Sequence, residues 1–241
     1  TDVAEQTPGA TPFRGKARPP TRPGRASVKP PPPPAPVEDL VEDQERLITG
    51  QRFSGADWAL AEVGRTHYTD CQFMDVDWSE ARLTGCVFTD CEFSNVRFNA
   101  AELTRCAILQ SLVRRCSFFD ATFTDCKLTG TQFIDCGMRP LRVAGGDWAF
   151  VSLRGENLTG VSLAGLRLKE ADFTGADLSR VDLRGADLSY ARLQECVLAG
   201  TDLRGADLSA VALRGVDLTG AKIDLHQAAL FAMAYGAVVE G

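Results

Sequence analysis

The chain has 241 residues, 44% of them apolar, with 26 Lys and Arg against 32 Asp and Glu and a formal net charge of −6. That is enough apolar material for a sizeable core, and the acid excess argues against a protein that grips nucleic acid through a basic body, since phosphates repel it. No run of 18 apolar residues is present and the start shows no signal-peptide pattern, so neither a helical membrane span nor secretion is expected.

Residues 1–36 hold 11 of the 12 prolines, an unbroken proline run at 30–34, and six Lys or Arg against two acids. Such a composition cannot bury a core. It predicts a disordered basic tail with polyproline II character, acting as a spacer or as a docking segment for a proline-recognising or acidic partner. Removing the tail leaves a net charge of −10 on residues 37–241. Residues 37–47 are acid-rich and are expected to form one short amphipathic helix covering the open first coil of the repeat array that begins at Ile48.

From Ile48 to Ile223 every fifth residue is apolar, 36 times in one frame without insertion or deletion. Neither a helix, with its period of 3.6, nor a strand, with its period of 2, explains this. From Ala56 to Ala221 the position two before each apolar residue is small, with exceptions at Leu141, Glu156 and Leu166. In extended chain, residues two apart share a face, so Ala176-Asp177-Leu178 reads in, out, in, and Ser179-Arg180 must turn the chain. A chain that turns every five residues closes into a coil, stacks on itself and pairs its backbone between coils: a solenoid. Cysteine pairs 20 apart are commoner than pairs 15 apart, a weak pointer to four sides per turn over three.

The segments Ala171-Asp172-Phe173-Thr174-Gly175, Ala176-Asp177-Leu178-Ser179, Gly185-Ala186-Asp187-Leu188-Ser189 and Gly205-Ala206-Asp207-Leu208-Ser209 resemble the A-[DN]-L-x-x signature of pentapeptide-repeat proteins. The resemblance covers residues 48–223. It implies an all-β solenoid, a right-handed quadrilateral β-helix of about nine coils, roughly 43 Å long at strand-like spacing.

The array has two textures. From Phe53 to Trp148 the large inward residue is aromatic in 12 of 20 units, whereas from Leu153 onward only Phe173 is. Between them, residues 137–146 keep the frame but carry Pro140 in a corner and Leu141 at a small site, where a local bend is expected. All eight cysteines (71, 86, 91, 106, 116, 126, 136 and 196) fall at the small inward position. They read as core filler: no C-x-x-C occurs, which argues against a metal, and stacked pairs point in parallel, too far apart for a relaxed disulfide. Reduced thiols predict a cytoplasmic protein.

Beyond the array, Asp224 is a candidate N-cap, residues 225–235 are helix-favouring, Gly236 is placed to end the helix, and residues 237–239 read as a short strand. Leu225, Leu230, Phe231, Met233 and Tyr235 supply more apolar surface than one cap needs. They predict either a seal on the last coil or a homodimer joined through this end, the arrangement that the family resemblance implies.

Neither His67 nor His226 lies in a motif, the thiols are interior, and a regular convex rod offers no cleft where catalytic groups converge. The expectation is a binding protein without enzymatic activity, cofactor or metal. Outward carboxylates recur at Asp172, Asp177, Asp182, Asp187, Asp202, Asp207 and Asp217, with a further acid group at Asp70, Asp75, Asp77, Glu80, Asp90 and Glu92. They serve either as solvated repeat consensus or as a duplex-like charge array for a basic partner. The resemblance implies a DNA mimic that binds a type II topoisomerase, DNA gyrase, and protects it from quinolones or peptide-like poisons. The second reading is a scaffolding protein whose rod or proline-rich tail binds an unrelated protein. The rod itself is not expected to bind nucleic acid or membrane.

Overall fold

In the computed structural model, which describes residues 45–240, the five-residue period becomes a stacked coil. Strand residues pair in parallel with residues twenty further on: Ile48 with Tyr68, Phe53 with Phe73, Val63 with Leu83, Val113 with Phe133. Four units therefore make one turn.

The four sides can be told apart by the outward aspartate each carries in the second half. On the Asp187 side lie strands Arg46–Thr49, Thr66–Thr69, Val87–Thr89 and Ala107–Leu109; on the Asp182 side lie Glu62–Gly64, Arg82–Thr84 and Glu102–Thr104. The seven-residue strands Ala121–Lys127 and Leu141–Asp147 run through the corner between these sides and join them in one nine-stranded sheet. The Asp172 side carries a separate five-stranded sheet, from Arg52–Ser54 to Gln132–Ile134. On the Asp177 side the pairing is a row of single bridges, Asp57 to Asp77 to Arg97 to Ser117 to Gly137. Continuous strands occupy residues 46–147, about five turns, and single bridges carry the same register on to Asp202 and Lys222.

The change from strands to bridges has a local cause. In the second half the N–H of each small inward residue bonds to the carbonyl three residues back, as in Val161 to Leu158 at 2.9 Å and Ala176 to Phe173 at 2.8 Å. The carbonyl of the large residue is then engaged within its own turn, and a three-residue strand contracts to one bridged residue. The bond closes a β-turn whose third residue has positive φ, the geometry of a type II turn.

Positive φ is in fact the rule at every corner. Of the 35 positions at 50, 55, 60 and onward to 220, 34 are left-handed, twenty of them occupied by residues other than glycine. Only Pro140 is not, because its ring fixes φ near −65°. The sequence shows this position as rich in Gly and Asp, residues that tolerate the region; Phe150, Tyr190 and Leu60 adopt it too.

Small and large inward residues form one continuous buried cluster, and Ala176 and Leu178 are fully buried on either side of Asp177. Rings one turn apart stack, Tyr68 on Phe88 at 4.8 Å, Phe73 on Phe93 at 4.9 Å and Phe98 on Phe118 at 5.1 Å, so the coil spacing can be read from the aromatic columns. Seven of the cysteines are buried, Cys136 is half-buried, and all eight are free thiols. They do more than fill space: Cys91, Cys106 and Cys126 donate to the carbonyls of Tyr68, Leu83 and Leu103 at 3.3 to 3.4 Å, as the Thr131 and Thr201 hydroxyls do to Ile108 and Leu178.

At the ends, two expectations are corrected. Arg46 and Leu47 lie in the first strand, where they pair with Thr66 and His67, and not in a covering helix. Residues 237–239 form no strand; the chain beyond Gly236 has no partner edge in the described residues. The predicted tail, and residues 37–44 of the covering segment, lie outside the described residues.

Candidate partner-binding surface

Each outward aspartate of the second half holds its own turn. Its Oδ1 accepts the backbone N–H two residues on: Asp172 from Thr174 at 3.0 Å, Asp177 from Ser179 at 2.9 Å, Asp187 from Ser189 at 3.0 Å, Asp207 from Ser209 at 2.8 Å and Asp217 from Thr219 at 2.9 Å. Where a Ser or Thr follows, its hydroxyl often donates to the same oxygen, at 2.6 Å for both Thr174 and Ser189. Asn157 does the same without charge, accepting from the Thr159 N–H at 3.1 Å. The repeat therefore needs the carbonyl-type oxygen, not the negative charge.

The seven candidate aspartates do not form one ladder. Asp187 and Asp207 share one side and are bridged to each other; Asp182 and Asp202 share a second; Asp177 and Asp217 lie on a third, two turns apart; Asp172 is on the fourth. Three of them are neutralised. Arg184 and Arg204 fold back on Asp182 and Asp202, each at 2.7 Å, and Asp172 receives Arg154 at 3.1 Å and Arg192 at 3.3 Å. The Arg204 guanidinium holds the Asp202 carboxyl at about 2, and Arg184 holds Asp182 below the ordinary range. Asp177, Asp207 and Asp217 are lowered by Ser179, Ser209 and Thr219.

The acid group nearer the first coil divides the same way. Asp77 is paired with Arg97, which holds its carboxyl at about 2, and Glu92 is paired with Arg114. Asp70, Asp75, Glu80 and Asp90 stand at left-handed corners. What remains unbalanced is concentrated on two sides across the rod from one another. The Asp187 side and its following corner carry Asp70, Asp90, Asp147, Glu170, Asp187 and Asp207 against Arg46, Lys127, Arg167 and Lys169, with Arg167 folded onto Asp147 at 2.6 Å. The Asp177 side carries a comparable excess, while the other two sides have nearly equal numbers of both signs.

The C-terminal helix, Leu225–Ala234, divides the five predicted interface residues. Phe231 is buried and Leu230 packs against the core, so these two seal the last coil. Leu225 is 90% exposed and Met233 and Tyr235 about half, and with Val238 they leave an apolar end face; the Tyr235 hydroxyl also accepts the Gly215 N–H at 3.1 Å. Asp224 caps the helix as expected. The residue that sequence reasoning missed is Gln227: it closes a capping box with Asp224, and its buried amide donates to the Leu203 and Ala206 carbonyls. One side chain thus satisfies both the helix start and the open edge of the coil beneath. A polar residue three after an N-cap was the available signal.

Glu156, one of the exceptions to the small-residue rule, points inward and is 3% exposed. Both its carboxylate oxygens lie near the Cys136 N–H, at 3.1 and 3.2 Å, and burial raises its pKa. Among the described residues no group of His, Cys, Asp and Glu could hold a metal ion, and no helix is long and apolar enough to cross a membrane.

The sequence pattern described as "Pentapeptide repeats" matches residues 69–106, 152–189 and 182–220 in 8 copies. No curated protein matches the sequence. Among solved structures, a trypsin-treated form of QnrB1, a plasmid-mediated fluoroquinolone resistance protein, is 22% identical, covers 81% of this chain and 98% of its own, and superposes with a TM-score of 0.64. Full-length QnrB1 is 21% identical over 79% of this chain and all of its own, at 0.59. HetL, involved in heterocyst differentiation regulation in the cyanobacterium Nostoc sp. strain PCC 7120, is 18% identical over 74% of this chain and 87% of its own, at 0.50. At these identities the likeness is one of fold.

Proposed function

This chain is a pentapeptide-repeat protein, and from that membership we propose that it works by binding: it presents an acidic rod to the DNA-binding surface of a type II topoisomerase, DNA gyrase, and protects that enzyme from quinolones or peptide-like poisons. In this reading the coil is right-handed, residues 48–223 make nine turns, and the rod is about as slender as duplex DNA. The observation that carries it is the acid excess on the Asp187 side. There Asp187 and Asp207 stack in one column, and no arginine is folded onto either of them among the described residues. Regular carboxylates along a thin rod would steer a basic surface and exclude acidic ones. Likeness in fold to QnrB1, whose role is fluoroquinolone resistance, supports the same reading.

Two further parts belong to this proposal. The apolar end face of Leu225, Met233, Tyr235 and Val238 joins a second copy, giving a homodimer with a continuous acidic surface. The protein works in the cytoplasm, where its target is found and thiols stay reduced.

A second reading has its own support. The Asp172 and Asp182 sides are charge-balanced by Arg154, Arg192, Arg184 and Arg204, an arrangement that suits a scaffolding surface for an unrelated protein. The experiment that separates the two is gyrase supercoiling, with and without a cleavage-stabilising quinolone, titrated with wild type and with Asp177→Asn, Asp187→Asn, Asp207→Asn and Asp217→Asn combined. Asn keeps the turn oxygen and removes the charge, as Asn157 already does. Sparing or DNA competition by wild type alone supports mimicry; indifference of gyrase to both proteins ends the topoisomerase reading.

A further inference from the structure

We propose that the corner formed by Phe150, Glu170 and Tyr190 is a docking ridge for this chain's own proline-rich segment, residues 30–36, bound in polyproline II form. The three residues are successive members of one corner column, twenty apart, all with left-handed φ of 58° to 60°. Glycine or a short polar residue fits that conformation at little cost, and an aromatic one does not. Yet Phe150 is 51% and Tyr190 58% exposed, so neither repays the strain by burial. Strained, exposed aromatics at a surface are a mark of recognition.

The space between them is a groove of about 520 Å³, with Gly130, Val151 and Ser152 in its lining and the two rings as walls. Lys169 stands over one face of Tyr190 at 5.6 Å, and Arg154 and Arg192 are engaged by Asp172, so the guanidinium groups nearest the groove are already paired. Glu170 lies midway and has no ion pair among the described residues.

Three observations select the occupant. The first is period. Stacked rings one turn apart stand 4.8 to 5.1 Å apart, which sets Phe150 and Tyr190 two turns, or roughly 10 Å, from each other along the rod. A polyproline II helix repeats its face every three residues, about 9.3 Å. Pro30, Pro33 and Pro36 recur every three residues, and flat proline rings against aromatic faces are how such helices are recognised. The second is charge. The ridge borders the acidic Asp187 side, and the tail of residues 1–36 carries six basic residues against two acids, with Lys29 adjoining the proline run as a counter-charge for Glu170. The third is reach. Phe150 lies five turns beyond Gly50, about 24 Å, whereas the 12 residues between Pro33 and Glu45 can span about 40 Å.

The test is photo-crosslinking of the full-length chain with p-benzoylphenylalanine in place of Phe150, and, as a control across the rod, in place of Phe119, which is similarly exposed at 57%. The expected result is an intrachain crosslink from position 150 to the tryptic peptide 26–46. Its yield should exceed that from position 119 several-fold and fall to the control level when Pro30, Pro33 and Pro36 are changed to Ser. Those changes lie outside the rod, so unchanged thermal unfolding separates lost docking from lost fold. No tail crosslink at 150, equal yields at 150 and 119, a crosslink only between two copies, or one that survives the serine changes would each overturn the proposal.

Discussion

Arg204 folds back along its own turn onto Asp202, with Nε at 2.8 Å from Oδ1 and Nη2 at 2.7 Å from Oδ2, while the Arg204 N–H reaches Oδ1 at 3.3 Å. Arg184 and Asp182 repeat the arrangement one turn earlier. A five-residue unit that supplies both a carboxylate and its counter-ion gains turn geometry without contributing net charge to the surface, and this separates structural from functional aspartates.

Replacing Arg184 and Arg204 by Ser should therefore unmask two carboxylates without loosening the turns, because Ser179 and Ser189 already hold such positions. If the acidic surface recruits a basic partner, the double variant should associate several-fold faster at low salt, with a steeper salt dependence. Stopped-flow association with gyrase across a salt series reads this, and an unchanged rate would place the contact away from that side.

Residues with positive φ should respond to substitution by φ and space alone. Leu60 is left-handed and 70% exposed, so Leu60→Gly should stabilise the rod by about 1 kcal/mol. Gly146→Ala should destabilise it by roughly 2–4 kcal/mol, since the added Cβ would meet the Cys126 carbonyl oxygen at 2.2 Å. Denaturant unfolding of both variants gives the two signs.

The Tyr68 hydroxyl is buried without a hydrogen bond, for Thr66 spends its own hydroxyl on the Gly64 carbonyl, and burial raises the phenol pKa. Tyr68→Phe keeps the ring stack on Phe88 and removes the stranded group. A gain of about 1 kcal/mol is expected by thermal unfolding.

Acid should act in two opposite ways. Asp77 and Asp202, at about 2, and the lowered Asp177, Asp182, Asp207 and Asp217 give stability that is full above the unfolded carboxylate value near 4 and is lost as pH falls toward 2. Glu156 is raised by burial, so its folded form binds the proton more tightly and stability falls as pH climbs from about 4 through the folded value. Glu156→Gln keeps an acceptor for the Cys136 N–H. It should stabilise the protein at pH 7 and have little effect at pH 4, as chemical unfolding at the two values would record.

The thiols should be silent in the folded protein. Burial pushes Cys91 up to about 12 and Cys196 to about 11, while hydrogen bonds with Cys106 and Cys136 lower Cys86 and Cys116, which are shielded by their burial in the coil. A thiol-reactive chromophore should count all eight only after unfolding, with Cys136, the least buried, first to react.

By itself the sequence determined the five-residue unit, its in-out-in alternation, the interior place of the cysteines and the capping helix, because each follows from which side chains one short extended segment can bury. It also revealed the aspartate column as a candidate surface. It did not determine that a turn takes twenty residues, since the closing angle belongs to the corner backbone and is expressed only when Ile48 pairs with Tyr68. Nor could it sort the aspartates by charge: Asp182 and Asp187 look alike in sequence, and only the stacked coil shows one held under Arg184 and the other left beside Asp207. The tertiary structure likewise decided that Gln227 closes the coil edge and that Phe150, Glu170 and Tyr190 form one column, because contacts across twenty or more residues arise from stacking and leave no local signal.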